Sequence, residues 1–159
     1  MSCGTVYKGD IVDGKQNGHG TYSWPSGDVY MGDWVKGLRI GRGTFTWANN
    51  GAVYKGDYVD DKQTGYGTHT WPSGDVYTGD WINGKQTGRG SHSFSNGDVY
   101  KGDFVDSKQT GRGTYSWPNG DVYTGDFVNL QKHGNGTFIY ANGPSFTGQW
   151  LNDKFKDKD

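Results

Sequence analysis

A short phrase recurs along the chain at a nearly constant interval, and that interval limits the fold more than any other feature of the sequence. Tyr7-Lys8-Gly9-Asp10, Tyr30-Met31-Gly32-Asp33, Tyr54-Lys55-Gly56-Asp57, Tyr77-Thr78-Gly79-Asp80, Tyr100-Lys101-Gly102-Asp103 and Tyr123-Thr124-Gly125-Asp126 are clear copies, and Phe146-Thr147-Gly148-Gln149 is a worn seventh. The lead residues are 23 apart, except for one interval of 24 between Tyr30 and Tyr54. A period in this range marks a tandem-repeat architecture. The array runs over 7–151, with copies at 7–29, 30–53, 54–76, 77–99, 100–122, 123–145 and a truncated 146–151; residues 152–159 read as a charged tail.

Composition would otherwise mislead. With 31% hydrophobic residues and a mean hydropathy of -0.90, the chain has the polarity of a disordered one. Yet 16% of it is aromatic, and its 29 glycines fall in register with the repeat, which flexible linkers do not show. A net charge of -1 lacks the basic excess of a nucleic-acid binder. No apolar run approaches the roughly 18 residues of a membrane-spanning helix. Met1-Ser2-Cys3-Gly4 resembles neither a secretory leader nor an N-myristoylation signal. The single cysteine, Cys3, is a minor palmitoylation candidate and cannot form an internal disulfide. The expected location is the cytoplasm, with cytoskeletal or membrane association left open.

Period-two alternation gives the secondary structure. In the fourth copy Tyr77, Gly79 and Trp81 alternate with Thr78, Asp80 and Ile82; beyond a polar loop, Gly88, Gly90, His92 and Phe94 alternate with Arg89, Ser91 and Ser93. Short alternating runs between glycine-rich turns read as strands. Asn83-Gly84-Lys85-Gln86-Thr87 is expected to close the hairpin within the repeat, and Trp71-Pro72-Ser73-Gly74 the one between repeats. The extra residue of the second copy falls in Trp47-Ala48-Asn49-Asn50-Gly51, which places a turn there. Helices are not expected at this glycine density.

Counting the lead residue as position 0, every Phe, Trp and Tyr except Tyr66 and Phe155 occupies position 0, 4, 15 or 17. These positions share one face. If position 0 opposes 17, then Tyr77 faces Phe94, Gly79 faces His92 and Trp81 faces Gly90, with rings lying across glycines. The expected fold is therefore all-β: an elongated, twisted, single-layer antiparallel sheet of tandem hairpins, about 13 strands at ~4.8 Å spacing.

The pattern Tyr-x-Gly-x-(Trp/Phe/Tyr), followed by Gly-x-Gly from position 11 on a 23-residue period, resembles the MORN repeat. Departures are small: Ile11 replaces a ring at position 4 and Asp stands at position 3, where the family often has Glu. The resemblance implies an aromatic-lined groove on a scaffold. It also implies cytoskeletal, motor or membrane-junction protein partners, or, as an alternative, a regulatory subunit acting in trans on a kinase or methyltransferase.

Two surfaces carry the expected function. The first is a partner-binding groove lined by Tyr7, Tyr30, Tyr54, Tyr77, Tyr100, Tyr123, Trp24, Trp34, Trp47, Trp71, Trp81 and Trp117. A single-layer sheet has no second layer to cover these rings, although packing on glycine and on each other would account for most of them. The second is a basic rim of Lys15, Arg39, Lys62, Lys85, Lys108 and Lys132 that could meet anionic phospholipid, phosphoinositides included. Asp13, Asp60, Asp61 and Asp106 beside it cancel much of its field. Asp28, Asp75, Asp98 and Asp121 should line the opposite edge.

Asp10, Asp33, Asp57, Asp80, Asp103 and Asp126 form a ladder with rungs about 9–10 Å apart. That is too sparse for calcium, so hydrogen bonds to a facing Thr or Ser, such as Asp80 to Ser91, are expected. His19, His69, His92 and His133 are spaced too widely to share zinc. No catalytic constellation converges, so no enzyme activity, metal or cofactor is expected. Self-association through the first strand is a further expectation.

Overall fold

A computed structural model describes residues 4–156; Cys3 and residues 157–159 of the tail lie outside them. The described chain has no helix. Its strands are β1 (Val6–Val12), β2 (Lys15–Ser23), β3 (Val29–Val35), β4 (Leu38–Thr46), β5 (Val53–Val59), β6 (Lys62–Thr70), β7 (Val76–Ile82), β8 (Lys85–Ser93), β9 (Val99–Val105), β10 (Lys108–Ser116), β11 (Val122–Val128), β12 (Gln131–Ile139), β13 (Ser145–Leu151) and β14 (Lys154–Lys156). The chain divides after Lys85 into two compact units. In the first, β1 to β7 pair antiparallel in chain order; in the second, β8 to β14 do the same.

The register differs from the expected one by two residues. Tyr7 faces Tyr22 rather than Trp24, and Gly9 faces Gly20. Tyr30 likewise faces Phe45, and Gly32 faces Gly43. Two features cause the shift. The hairpin within the repeat closes through a two-residue turn, not a five-residue loop: Val12 pairs with Lys15, and both Asp13 (φ 50°) and Gly14 (φ 73°) are left-handed. Two successive left-handed residues make the primed turn whose twist matches the flanking strands. Asp and Asn, which tolerate that conformation, hold its first position at Asp13, Asp60, Asn83, Asp106, Asn129 and Asn152.

The second feature is a bulge in the second strand of the β1–β2, β3–β4, β5–β6, β9–β10 and β11–β12 hairpins. Gly9 pairs with Gly20 but Asp10 pairs with Asn17, so two residues are left over. The bulge passes through a left-handed glycine at position 11, for example Gly18 (φ 68°), Gly41 (φ 57°) and Gly134 (φ 60°). The aspartate opposite caps it. Asp57, Asp103 and Asp126 accept from the backbone N–H of Tyr66, Arg112 and Asn135 at 2.9–3.0 Å. These three aspartates therefore stabilise bulges. Hydroxyls at position 14 pair with those of the following strand: Thr68 with Thr78 at 3.0 Å and Thr137 with Thr147 at 2.9 Å.

The turns between repeats follow the expected chemistry. Gly27 (φ 90°) donates to the Trp24 carbonyl at 2.9 Å. The extra residue of the second copy is absorbed by a longer turn in which Gly51 donates to the Trp47 carbonyl at 2.8 Å, leaving strand pairing intact. At the other end, the seventh copy has a second strand where none was expected: β14 pairs with β13, placing Phe155 opposite Trp150.

The core is a side-chain layer on one face. Tyr7, Tyr30, Tyr54, Tyr100 and Tyr123 each lie over the cross-strand Gly–Gly pair of their own hairpin. A Cβ on Gly67 would come within 2.5 Å of the Tyr54 hydroxyl oxygen, and one on Gly43 within 2.3 Å of that of Tyr30. The hydroxyl reaches the carbonyl of the residue at position 3: Tyr54 donates to Asp57 O at 3.0 Å, Tyr77 to Asp80 O at 2.9 Å and Tyr100 to Asp103 O at 2.8 Å. Rings at position 4 pack edge-on against the lead tyrosines. Tyr30 meets Trp34 at 5.1 Å and 89° and Tyr58 at 5.1 Å and 80°. Tyr123 meets Phe127 at 5.0 Å and 88° and Trp150 at 5.3 Å and 79°. Such pairs are worth about 0.5–1.5 kcal/mol each beyond the area they bury.

Gly67→Ala should therefore lower stability by about 1–3 kcal/mol, the cost of overpacking a filled site, read as a lower denaturation midpoint with an unchanged slope. An unchanged midpoint would contradict the seating of Tyr54 on that glycine.

Candidate protein-binding site

The ring face has two tiers. In the lower tier Tyr30, Tyr54, Tyr77, Tyr100 and Tyr123 are 0% exposed, and Trp34 and Trp81 are 4% exposed. The indole N–H of Trp34 is satisfied by Gly20 O at 3.2 Å and that of Trp81 by Gly67 O at 3.1 Å. These seven residues, expected in the groove, form its floor and offer a partner no surface. The sequence alone could not reveal this, because the roof over each tyrosine is another ring. Tyr7 is half-buried.

The upper tier is the set at positions 15 and 17, half-buried except for the exposed Tyr140. In the first unit the rings run Tyr22–Trp24 at 4.5 Å, Trp24–Phe45 at 5.3 Å, Phe45–Trp47 at 4.5 Å, Trp47–His69 at 5.1 Å and His69–Trp71 at 4.4 Å between centroids. In the second unit Tyr115–Trp117 at 4.6 Å, Trp117–Phe138 at 5.3 Å and Phe138–Tyr140 at 4.7 Å form a zigzag of the same kind. Trp24, Trp47, Trp71 and Trp117 are half-buried members of these zigzags. Their neighbours Tyr22, Phe45, His69, Tyr115, Phe138 and Tyr140 complete the ladder. The groove drawn from sequence omits them, although their position-15 and position-17 spacing was already visible. Burial lowers the His69 pKa, so the imidazole stacks between two indoles as a neutral ring.

The turn edge beside the ladder is acidic. Asp28 accepts from the N–H of Ala48, next to Trp47, at 2.7 Å, and Asp121 from that of Ala141, next to Tyr140, at 2.9 Å. The Tyr115 hydroxyl donates to Asp98; burial, then this carboxylate, holds the phenol well above its usual range.

The expected basic rim is not a single row. Lys15, Lys62, Lys85 and Lys108 are exposed at position 8. Arg39 and Lys132 stand one position later, and strand alternation turns them onto the ring face. Arg39 pairs with Asp61 at 3.1 Å and lies 5.1 Å from the Tyr58 ring and 5.8 Å from Phe45. Lys132 pairs with Asp153 at 3.4 Å and lies 5.6 Å from Trp117 and 5.5 Å from Trp150. Where the basic residue is replaced by Gln16, Gln63, Gln86 or Gln109, the next repeat carries Gly37, Gly84, Ser107 or Leu130 in place of the aspartate. Each ion pair borders a shallow recess beneath the ladder, about 290 Å³ at Arg39 and about 340 Å³ at Lys132. Among the described residues no group of three or more His, Cys, Asp or Glu could hold a metal ion.

The folded units define a class, tandem β-hairpin repeats with a two-tier aromatic face. The chain belongs to the MORN-repeat family, whose model matches residues 7–29, 30–52, 54–76, 77–99, 100–122 and 123–145. No curated protein matches it. Among solved structures it is similar to the SAS-4 (dCPAP) TCP domain in complex with a proline-rich motif of Ana2 (dSTIL) of Drosophila melanogaster. That chain is 13% identical with a TM-score of 0.58, over 91% of this chain and 77% of that one. The wild-type TCP10 domain of Danio rerio CPAP is 15% identical with a TM-score of 0.32, over 91% and 89%. At these identities the first likeness is one of fold.

The floor tyrosines predict an alkaline limit. Burial first, then Asp103 and Asp126, pushes Tyr100 and Tyr123 up to about 12 from an ordinary 10.0. A raised folded pKa favours the neutral phenol, so this stability is complete below pH 10 and is lost as pH rises toward 12. Sheet circular dichroism should hold to about pH 10 and collapse above it, with phenolate absorbance from the floor tyrosines rising together with the collapse. Full phenolate formation near pH 10 with the sheet intact would contradict the buried floor.

Proposed function

We propose that the chain is a non-catalytic interaction module that binds an extended segment of a protein partner along the half-exposed ring ladder. The observation that carries this is the division of the ring face. The floor satisfies its own packing and hydrogen bonds, whereas the ladder rings, packed against one another, stay only half-buried and leave aromatic surface at the solvent. Aromatic surface of this kind anchors protein interfaces. Membership of the MORN-repeat family and the partner motif bound to a protein of similar fold support the reading. A cytoskeletal or membrane-junction partner would suit such a module. Binding of anionic phospholipid is the weaker reading, since Arg39 and Lys132 are turned to the ring face and neutralised there by Asp61 and Asp153.

The test is positional. A photo-crosslinking residue at Phe45, on the ladder, should capture a partner that the same residue at Thr44, one step along the strand and on the opposite face, does not. Trp47→Ala with Trp71→Ala should reduce that capture at least about tenfold while the far-ultraviolet spectrum is unchanged. Equal capture from both positions, or full capture by the double variant, would overturn the reading.

A further inference from the structure

We propose that the ladder takes a polyproline II segment carrying basic side chains, lying across the strands. This rests on the ladder being the binding surface, and adds the conformation and charge of what it binds.

The first argument is pitch. Ladder rungs repeat once per hairpin, that is every two strands, or about 9.6 Å at ordinary strand spacing. A polyproline II helix has three residues per turn at about 3.1 Å each, or about 9.3 Å. A peptide with one proline in every third position therefore presents an apolar ring to each successive rung. An extended β-strand, at about 3.3 Å per residue with two-residue alternation, repeats near 6.6 Å and falls out of step by the second rung. A helix, with a pitch of about 5.4 Å, fits no better. In the first unit Trp24, Trp47 and Trp71 supply three rungs, matching about seven residues of such a segment. Polyproline II segments dock on aromatic-lined grooves with little conformational entropy to lose.

The second argument is charge. The cations on the ring face are internally paired, Arg39 with Asp61 and Lys132 with Asp153. Two carboxylates on the turn edge bond only neutral donors: Asp28 accepts from the Ala48 N–H and the Ser26 hydroxyl, and Asp121 from the Ala141 N–H and the Asn119 amide. Among the described residues neither carboxylate has a basic side chain at ion-pair distance. A ligand whose rings fill the rungs can therefore set Arg or Lys against this edge, and an acidic ligand would be repelled by it. Charge on such a rim sets selectivity and association rate more than affinity.

The test uses the full chain and three synthetic dodecapeptides, four repeats each of Pro-Pro-Arg, Pro-Pro-Glu and Gly-Ser-Arg, titrated against intrinsic tryptophan fluorescence at low salt. Pro-Pro-Arg should bind at least about tenfold more tightly than either of the others. Asp28→Asn with Asp121→Asn keeps an acceptor oxygen for each turn and should narrow the Arg-over-Glu preference at least threefold, without weakening Pro-Pro-Glu. Equal binding of Gly-Ser-Arg would reduce the effect to charge and overturn the conformational claim; equal binding of Pro-Pro-Glu would overturn the charge claim. If no peptide binds while crosslinking at Phe45 still captures a partner, this inference falls and the ladder reading stands. If the crosslink also fails, both fall.

Discussion

A tyrosine ring lying flat over two glycines that face each other across a hairpin is the contact on which the structure depends. It explains why the glycines cannot carry side chains, since a Cβ at Gly20 or Gly136 would lie within 2.3 Å of a tyrosine atom. It also explains the bulge. Shifting the second strand by two residues frees the position-3 carbonyl, and the tyrosine hydroxyl takes it. Tyr30, Tyr54, Tyr100 and Tyr123 thus each gain a seat below, a hydrogen bond at the tip and two edge-on rings beside. A sheet normally needs a second layer of secondary structure to bury its apolar face. Here each unit makes that layer from its own side chains.

That economy determines where a partner can act. Rings consumed by the floor have no surface left, so the proposed binding surface is one tier up, at side chains near the turn edge. The cations that enter this face do so only where the following turn supplies an aspartate, as the Arg39–Asp61 and Lys132–Asp153 pairs show. An unpaired guanidinium or ammonium among rings would carry a heavy desolvation cost. The face therefore presents neutral rings bordered by carboxylates.

Much of the fold could be read from the chain. The 23-residue period, the all-β character, the turn at Asn49-Asn50 and the common face of positions 0, 4, 15 and 17 all follow from alternation and turn chemistry. The register could not be read, because Gly18, Gly41 and Gly134 look like any other strand glycines until their left-handed conformation shows the two extra residues. The site was only partly legible. The tryptophans of the ladder were named, but together with Tyr30, Tyr54 and Trp81, which share their face and chemistry. The loop positions of Arg39 and Lys132 suggested a rim, and a one-residue offset reversed their direction.

What the sequence decided by itself is periodic: the repeat, its hairpin and the sorting of rings from polar groups between two faces, since these depend on local sterics and a period of two. What only the tertiary structure decided is which ring covers which. That depends on contacts between neighbouring hairpins, where the exposure of one tyrosine is set by the tryptophan or phenylalanine of the next repeat, 23 residues or more away.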